Sequence, residues 1–160
     1  MDTQPGHGAT FRIFLPAYPL GAAASAAAAA ARPKPRGGRE TILLAEDESV
    51  VRKLICAILE RHGYRVLTAS NGVKALHVWR EQRRTINLLL TDLVMPGGVN
   101  GLELARAVQA EEPRLKVVFI SGYSAEVAGR EMELRTGENF VQKPFVAGQL
   151  LETIRRCLDA

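Results

Sequence analysis

From Thr41 onward the chain alternates short apolar runs with longer segments whose apolar residues recur at helical spacing, and few architectures accommodate that order. The runs are Thr41–Ala45, Tyr64–Ala69, Leu88–Asp92, Leu115–Ile120 and Asn139–Gln142. They are short, rich in β-branched and apolar residues, and without internal polar alternation, as expected of strands buried on both faces of a parallel sheet. Strand and helix taking turns in this way implies stacked βαβ units with right-handed crossovers. The expected architecture is a three-layer α/β/α sandwich around a five-stranded parallel sheet.

The intervening helices carry their own signals. Ser49 is placed to cap a helix bearing Val51, Leu54, Ile55, Ile58 and Leu59, which Gly63 ends. Ser70, Asn71 and Gly72 open a second, carrying Val73, Leu76 and Trp79 and running to about Arg83. A third runs from Gly101 to about Glu111, with Leu102, Leu104, Ala105 and Val108 inward and Pro113 helping to end it. Ala125–Arg135 is expected to be a softer helix because of Gly129, and Val146–Leu158 a fifth, with Leu150, Leu151, Ile154, Cys157 and Leu158 on one side.

Chemistry concentrates where the runs end. Glu46-Asp47-Glu48 follows the first, Asp92 closes the third before Met95-Pro96, Ser121-Gly122 follows the fourth, and Lys143-Pro144 the fifth. In a parallel sheet these carboxyl-terminal strand ends share one edge, where such folds hold their ligands. A hydrophobic core has no use for several carboxylates, a hydroxyl and an ammonium collected there, although a lone acid in such a place often only caps a helix or starts a turn.

Charge and cysteines narrow the function classes. Residues 1–40 hold five basic and two acidic residues, whereas 41–160 hold sixteen and fifteen, so the overall charge of +4 belongs mostly to the leader. The main domain is therefore not expected to bind nucleic acid. Cys56 and Cys157 fall on apolar helix stripes and share no metal-ligand spacing, which suits buried, reduced thiols of a cytoplasmic protein. The alanine-rich stretch is too weakly hydrophobic to insert in a membrane, and Asp2, Pro5, Pro16 and Pro19 argue against a secretory signal. Within the leader, Gly6–Pro16 alternates like a strand, with Phe11, Ile13 and Leu15 on one face and no evident partner, and Leu20–Ala31 is expected to form no more than a transient helix.

With these residues in view, positions 41–160 resemble a response-regulator receiver domain of two-component signalling. Glu46-Asp47, Asp92 with Met95-Pro96, Ser121-Gly122 and Lys143-Pro144-Phe145 occur in the family's order at the family's strand ends. The resemblance implies the flavodoxin-like topology, and a phosphorelay function in which Asp92 accepts a phosphoryl group from a phosphohistidine with Mg2+. It implies Asp47 and Asp92 as direct metal ligands, Glu46 as a water-mediated one, the Val94 carbonyl as a main-chain contribution, and Lys143 and Ser121 as phosphoryl contacts. Mg2+ favours hard oxygen ligands, so the residue types suit it. Ser121 and Phe140 are the expected switch residues, with Phe140 where many receivers have tyrosine. Two other departures are Glu46 in place of the more usual aspartate, and a Gly97-Gly98-Val99-Asn100-Gly101 loop one residue longer than the commonest form.

Residues 5–16 resemble the closing strands of a histidine-kinase ATP-binding domain, so the chain resembles the C-terminal end of a hybrid sensor kinase. Residues 1–16 would then be a kinase remnant, 17–40 a linker and 41–160 the receiver. A histidine kinase or phosphotransfer protein is the expected partner. With the chain stopping at Ala160, output is expected through a partner and no separate enzyme activity is expected. The competing readings are a docking module that is never phosphorylated and a phosphohydrolase with an aspartyl nucleophile. His7, His62 and His77 are expected at surface or helix-end positions, not as phosphodonors.

Overall fold

The computed structural model describes residues 2–4, 8–10, 37–122 and 134–160. Two units are distinguished, residues 1–33 and 34–160. In the first, β1 (Asp2–Gln4) and β2 (Gly8–Thr10) pair antiparallel, with Asp2 opposite Thr10 and Gln4 opposite Gly8. Gly8–Thr10 lies in the leader segment for which no strand partner was evident, and the partner is the polar Asp2-Thr3-Gln4. Those three residues lack the apolar alternation by which a strand is recognised. Phe11, Ile13, Leu15 and the alanine-rich segment lie outside the described residues.

The second unit contains β3 (Thr41–Ala45), α1 (Ser49–Arg61), β4 (Arg65–Ala69), α2 (Gly72–Gln82), β5 (Ile86–Asp92), α3 (Gly101–Glu111), β6 (Lys116–Ser121), β7 (Phe140–Gln142) and α4 (Ala147–Asp159). The five strands β3–β7 form one parallel sheet in the order β4-β3-β5-β6-β7. This order places the topological switch between β3 and β5, so a crevice opens beyond their carboxyl ends. The helix expected over Ala125–Arg135 lies outside the described residues, except Leu134 and Arg135, which are not helical.

Alternation along buried strands sorts the core into two layers. Leu43, Ala45 and Leu89 face one side and pack with Ala75 and Trp79 of α2 and Leu104, Ala105 and Val108 of α3. Ile42, Leu44, Leu88 and Leu90 face the other and pack with Ile55 and Leu59 of α1 and Leu150, Leu151 and Ile154 of α4. Each such leucine or isoleucine, wholly removed from water, contributes about 1.5–3 kcal/mol. The expected three-layer sandwich is therefore present, with one helix pair on each face among the described elements.

Local expectations needed correction at several positions. Ser49 is the first residue of α1 and Glu48 its N-cap, with no side-chain capping bond. Leu54 and Val73, part of the apolar spacing of their helices, are nonetheless 56% and 53% exposed, because each sits about 100° around its helix from the buried Ile55 and Gly72. Both cysteines are half-buried instead of buried. Asn71 caps α2 by accepting from the Lys74 amide at 2.8 Å, and Asn100 with Glu103 forms a capping box on α3.

Candidate phosphoacceptor and metal site

Asp92 is the last residue of β5, and it is held from three directions. Its main chain lies against Gly101 at the start of α3, where an added Cβ would come within 2.0 Å of the Asp92 carbonyl oxygen. The Gly101 amide donates to the neighbouring Leu93 carbonyl at 3.1 Å. Its carboxylate accepts the Val94 amide on Oδ1 at 3.0 Å and the Lys143 ammonium on Oδ2 at 2.6 Å. Only 8% of the residue is exposed, so the acid stands at the mouth of the crevice with its main chain sealed.

Glu46, immediately after β3, is more deeply set, at 1% exposed. Its Oε2 accepts from Lys143 at 2.8 Å and its Oε1 from the Glu48 amide at 3.3 Å. One ammonium thus bridges two carboxylates carried by adjacent strands. Burial foremost, with Asp92's charge adding, pushes the Glu46 carboxyl above its ordinary range despite Lys143. For Lys143, burial works against the charge, and the hydrogen bonds and charges of Asp92 and Glu46 outweigh it, raising its pKa. The ammonium therefore stays protonated at any physiological pH.

Asp47 completes the acidic group: one carboxylate oxygen from each of Glu46, Asp47 and Asp92 lies within 4.8 Å of the others. Three hard-oxygen donors at this spacing fit a Mg2+ ion, which one or two carboxylates and waters ordinarily hold. Val94 reaches the site through its amide, and its side chain is 60% exposed. Ser121 ends β6 beside Gln142, is 1% exposed, and its carbonyl accepts the Lys143 amide at 2.7 Å. This bond ties the hydroxyl-bearing strand end to the lysine. Phe140 is fully buried in the core layer of α2 and α3, so the expected switch aromatic points inward.

Two contacts to this site were not foreseen from the sequence. The Thr91 hydroxyl donates to the Asp92 carbonyl at 3.0 Å, and Arg52 of α1 donates to the carbonyls of Glu46 and Asp47. Arg52 stands beside Lys53 in a helix, and nothing in the pattern sets one apart from the other. In the loop after Pro96, Gly97 and Gly98 have φ of 98° and 104°, a left-handed conformation that favours glycine, and nothing lies within 4 Å of where their Cβ atoms would be. His62 is at a helix end, with Nδ1 on the Ile58 carbonyl at 2.8 Å, and His77 is paired with Glu81 on the surface.

Residues 42–155 match the response regulator receiver domain family. The chain belongs to that family. It is 37% identical to the response regulator receiver protein CpdR of Brucella abortus over 119 residues, covering 74% of this chain and 97% of that protein. It is 34% identical to the sensor kinase CckA of the same organism over 164 residues, covering 99% of this chain but only 17% of the kinase. Among solved structures, the receiver domain from the hybrid histidine kinase CckA is 35% identical, with a TM-score of 0.61, over 74% of this chain and 98% of that one. A receiver protein from Sinorhizobium medicae is 29% identical, with a TM-score of 0.67, over 76% of this receiver chain and 95% of that one. The receiver is thus a module of two-component signalling, a family that works with histidine kinases or phosphotransfer proteins. No described helix is long and apolar enough to cross a membrane.

Proposed function

We propose that Asp92 accepts a phosphoryl group from a phosphohistidine of a partner protein, with Mg2+ held by Asp47, Asp92, the Val94 carbonyl and, through water, Glu46. The observation that carries this reading is the Lys143 ammonium spanning Glu46 and Asp92 beside a third, half-buried carboxylate. In the transfer the P–N bond breaks, its electron pair returns to the imidazole, and a P–O bond forms to an Asp92 carboxylate oxygen. A carboxylate and an incoming phosphoryl group repel, so the residues here must neutralise charge and align the attack.

Each residue has a part in that task. Gly101, Leu93 and the Val94 amide hold Asp92 in place. Lys143 carries a permanent positive charge within reach of a phosphoryl oxygen, and the Ser121 hydroxyl supplies a second contact. When bound, Mg2+ would supply the remaining positive charge. Ser121 and Phe140 would then pass the change to a partner-binding face by shifting its conformational population.

Incubation with acetyl phosphate and Mg2+ should add one phosphoryl mass to the intact protein. Asp92→Asn should abolish that addition, and undiminished labelling of Asp92→Asn would overturn the assignment. Absence of any labelling in the wild type, with partner binding indifferent to Mg2+, would favour a docking module instead.

A second reading concerns the chain's context. Similarity to the sensor kinase extends over 99% of the chain and so includes the leader, which favours a C-terminal section of a hybrid sensor kinase. Sequencing upstream of Met1 tests it: a kinase core in frame supports that origin, and its absence removes it.

A further inference from the structure

Arg52 reaches back from α1 into the acidic loop, and the phosphoacceptor reading makes no use of it. Its Nη1 donates to the Glu46 carbonyl at 2.5 Å and to the Asp47 carbonyl at 3.1 Å. Helix geometry explains the direction, because side chains tilt toward the helix N-terminus and a long residue in the first turn passes over the residues before it. The Arg52 amide also donates to the Glu48 carbonyl at 2.9 Å. One residue thus closes the first turn of α1 and ties down the two acids in front of it.

The two acids depend on it unequally. Glu46 has other anchors: its amide donates to the Ala69 carbonyl at 3.1 Å, and its carboxylate meets Lys143 and the Glu48 amide. For Asp47, the polar contact among the described residues is Arg52 at its carbonyl. A site that binds an ion well holds its ligands in position beforehand, through groups that do not themselves touch the ion.

We propose that Arg52 is a positioning residue for the cation site, holding the Glu46–Asp47 main chain so that the Asp47 carboxylate stands with Glu46 and Asp92 before a divalent cation arrives. This rests on the phosphoacceptor reading of the same cluster. Charge predicts the opposite effect, which makes the inference decidable. A guanidinium near a cation site repels the cation. If charge were its whole contribution, removing Arg52 would tighten binding; if it positions the ligands, removal weakens binding.

The test is calorimetric titration of Mg2+ into the full chain as wild type, Arg52→Met and Arg52→Lys at one ionic strength, with amide hydrogen exchange at Glu48. Arg52→Met is expected to bind Mg2+ about tenfold more weakly and to exchange faster at Glu48. Arg52→Lys, which keeps the charge but lacks the guanidinium's fork of donors, should fall between. Equal or tighter Mg2+ binding by Arg52→Met overturns the proposal. Should that variant fail to fold, Arg52→Lys decides: weaker binding than wild type supports positioning, and equal binding overturns it. Wild-type protein that takes up no Mg2+ overturns the phosphoacceptor reading and this one with it, whereas wild-type binding matched by Arg52→Met overturns this one alone.

Discussion

The two ends of the central sheet carry ion pairs of similar chemistry and different consequence. At the amino ends, Glu40 immediately precedes β3 and Tyr64 immediately precedes β4, and Arg155 of α4 meets them. Arg155 donates to Glu40 Oε1 at 2.7 Å and pairs with Asp159 at 2.8 Å. Gly38 packs over this group so closely that a Cβ there would come within 1.9 Å of Glu40 Oε2 and 2.6 Å of the Tyr64 ring. Glu40 Oε2, the Tyr64 hydroxyl and Arg155 Nε are buried without a hydrogen-bond partner among the described residues. Because Asp159 is 64% exposed, the half-buried charge reduces to one cation and one acid.

At the carboxyl ends a single ammonium faces Glu46, Asp92 and Asp47, and the acids outnumber it. That end is left negative; at the other, the cation and its acid balance. An ion pair alone therefore says little about function. The informative quantity is the charge left over where a ligand can enter.

Removing Lys143 should separate the two ends most strongly. Lys143→Met leaves Glu46 buried without its cation, and breaking a buried pair from one side is costly. We expect a loss of about 2–3 kcal/mol in metal-free urea unfolding, partly recovered on adding Mg2+. A loss under about 0.5 kcal/mol would show that the carboxyl end is not charge-strained.

Arg155→Met should cost less, about 1 kcal/mol, because Glu40 lies nearer solvent. The Mg2+-induced rise in melting temperature should be unaltered in that variant. A changed Mg2+ response would mean that the two ends are coupled, and the contrast between them would fail.

Acid titration should give the smallest effect. Burial alone would raise the Glu40 carboxyl, but the hydrogen bond and charge of Arg155 outweigh it and hold it below its ordinary 4.5. A carboxyl depressed on folding contributes stability that is complete above its unfolded pKa and is lost as pH falls through the folded value. The stability gap between wild type and Glu40→Gln should therefore narrow as pH drops from about 5 to about 3. A gap that stays constant across that range would show that the Arg155 pairing is not what favours the charged form.

Much of the fold was legible because buried strands and amphipathic helices leave periodic signatures. Thr41–Ala45 was read with its observed bounds, and Asp92 and Lys143 stood out as charged residues at the ends of apolar runs. The polar strand Asp2–Gln4 had no such signature. Ser49 looked like a cap by residue type, yet the turn places Glu48 there. Arg52 was missed because its partners are main-chain carbonyls, which every residue carries. The Glu40–Arg155 pair joins positions 115 apart, a separation that no local pattern bridges.

By itself, then, the sequence determined the alternation of elements, the parallel sheet and the set of polar residues at its carboxyl edge, since periodicity and strand-end position are local properties of the chain. Only the tertiary structure decided that one ammonium would bridge Glu46 and Asp92 while Arg155 met Glu40 at the opposite edge. Those pairings arise from strand order and helix packing, which bring together side chains whose separation along the chain carries no trace of their meeting.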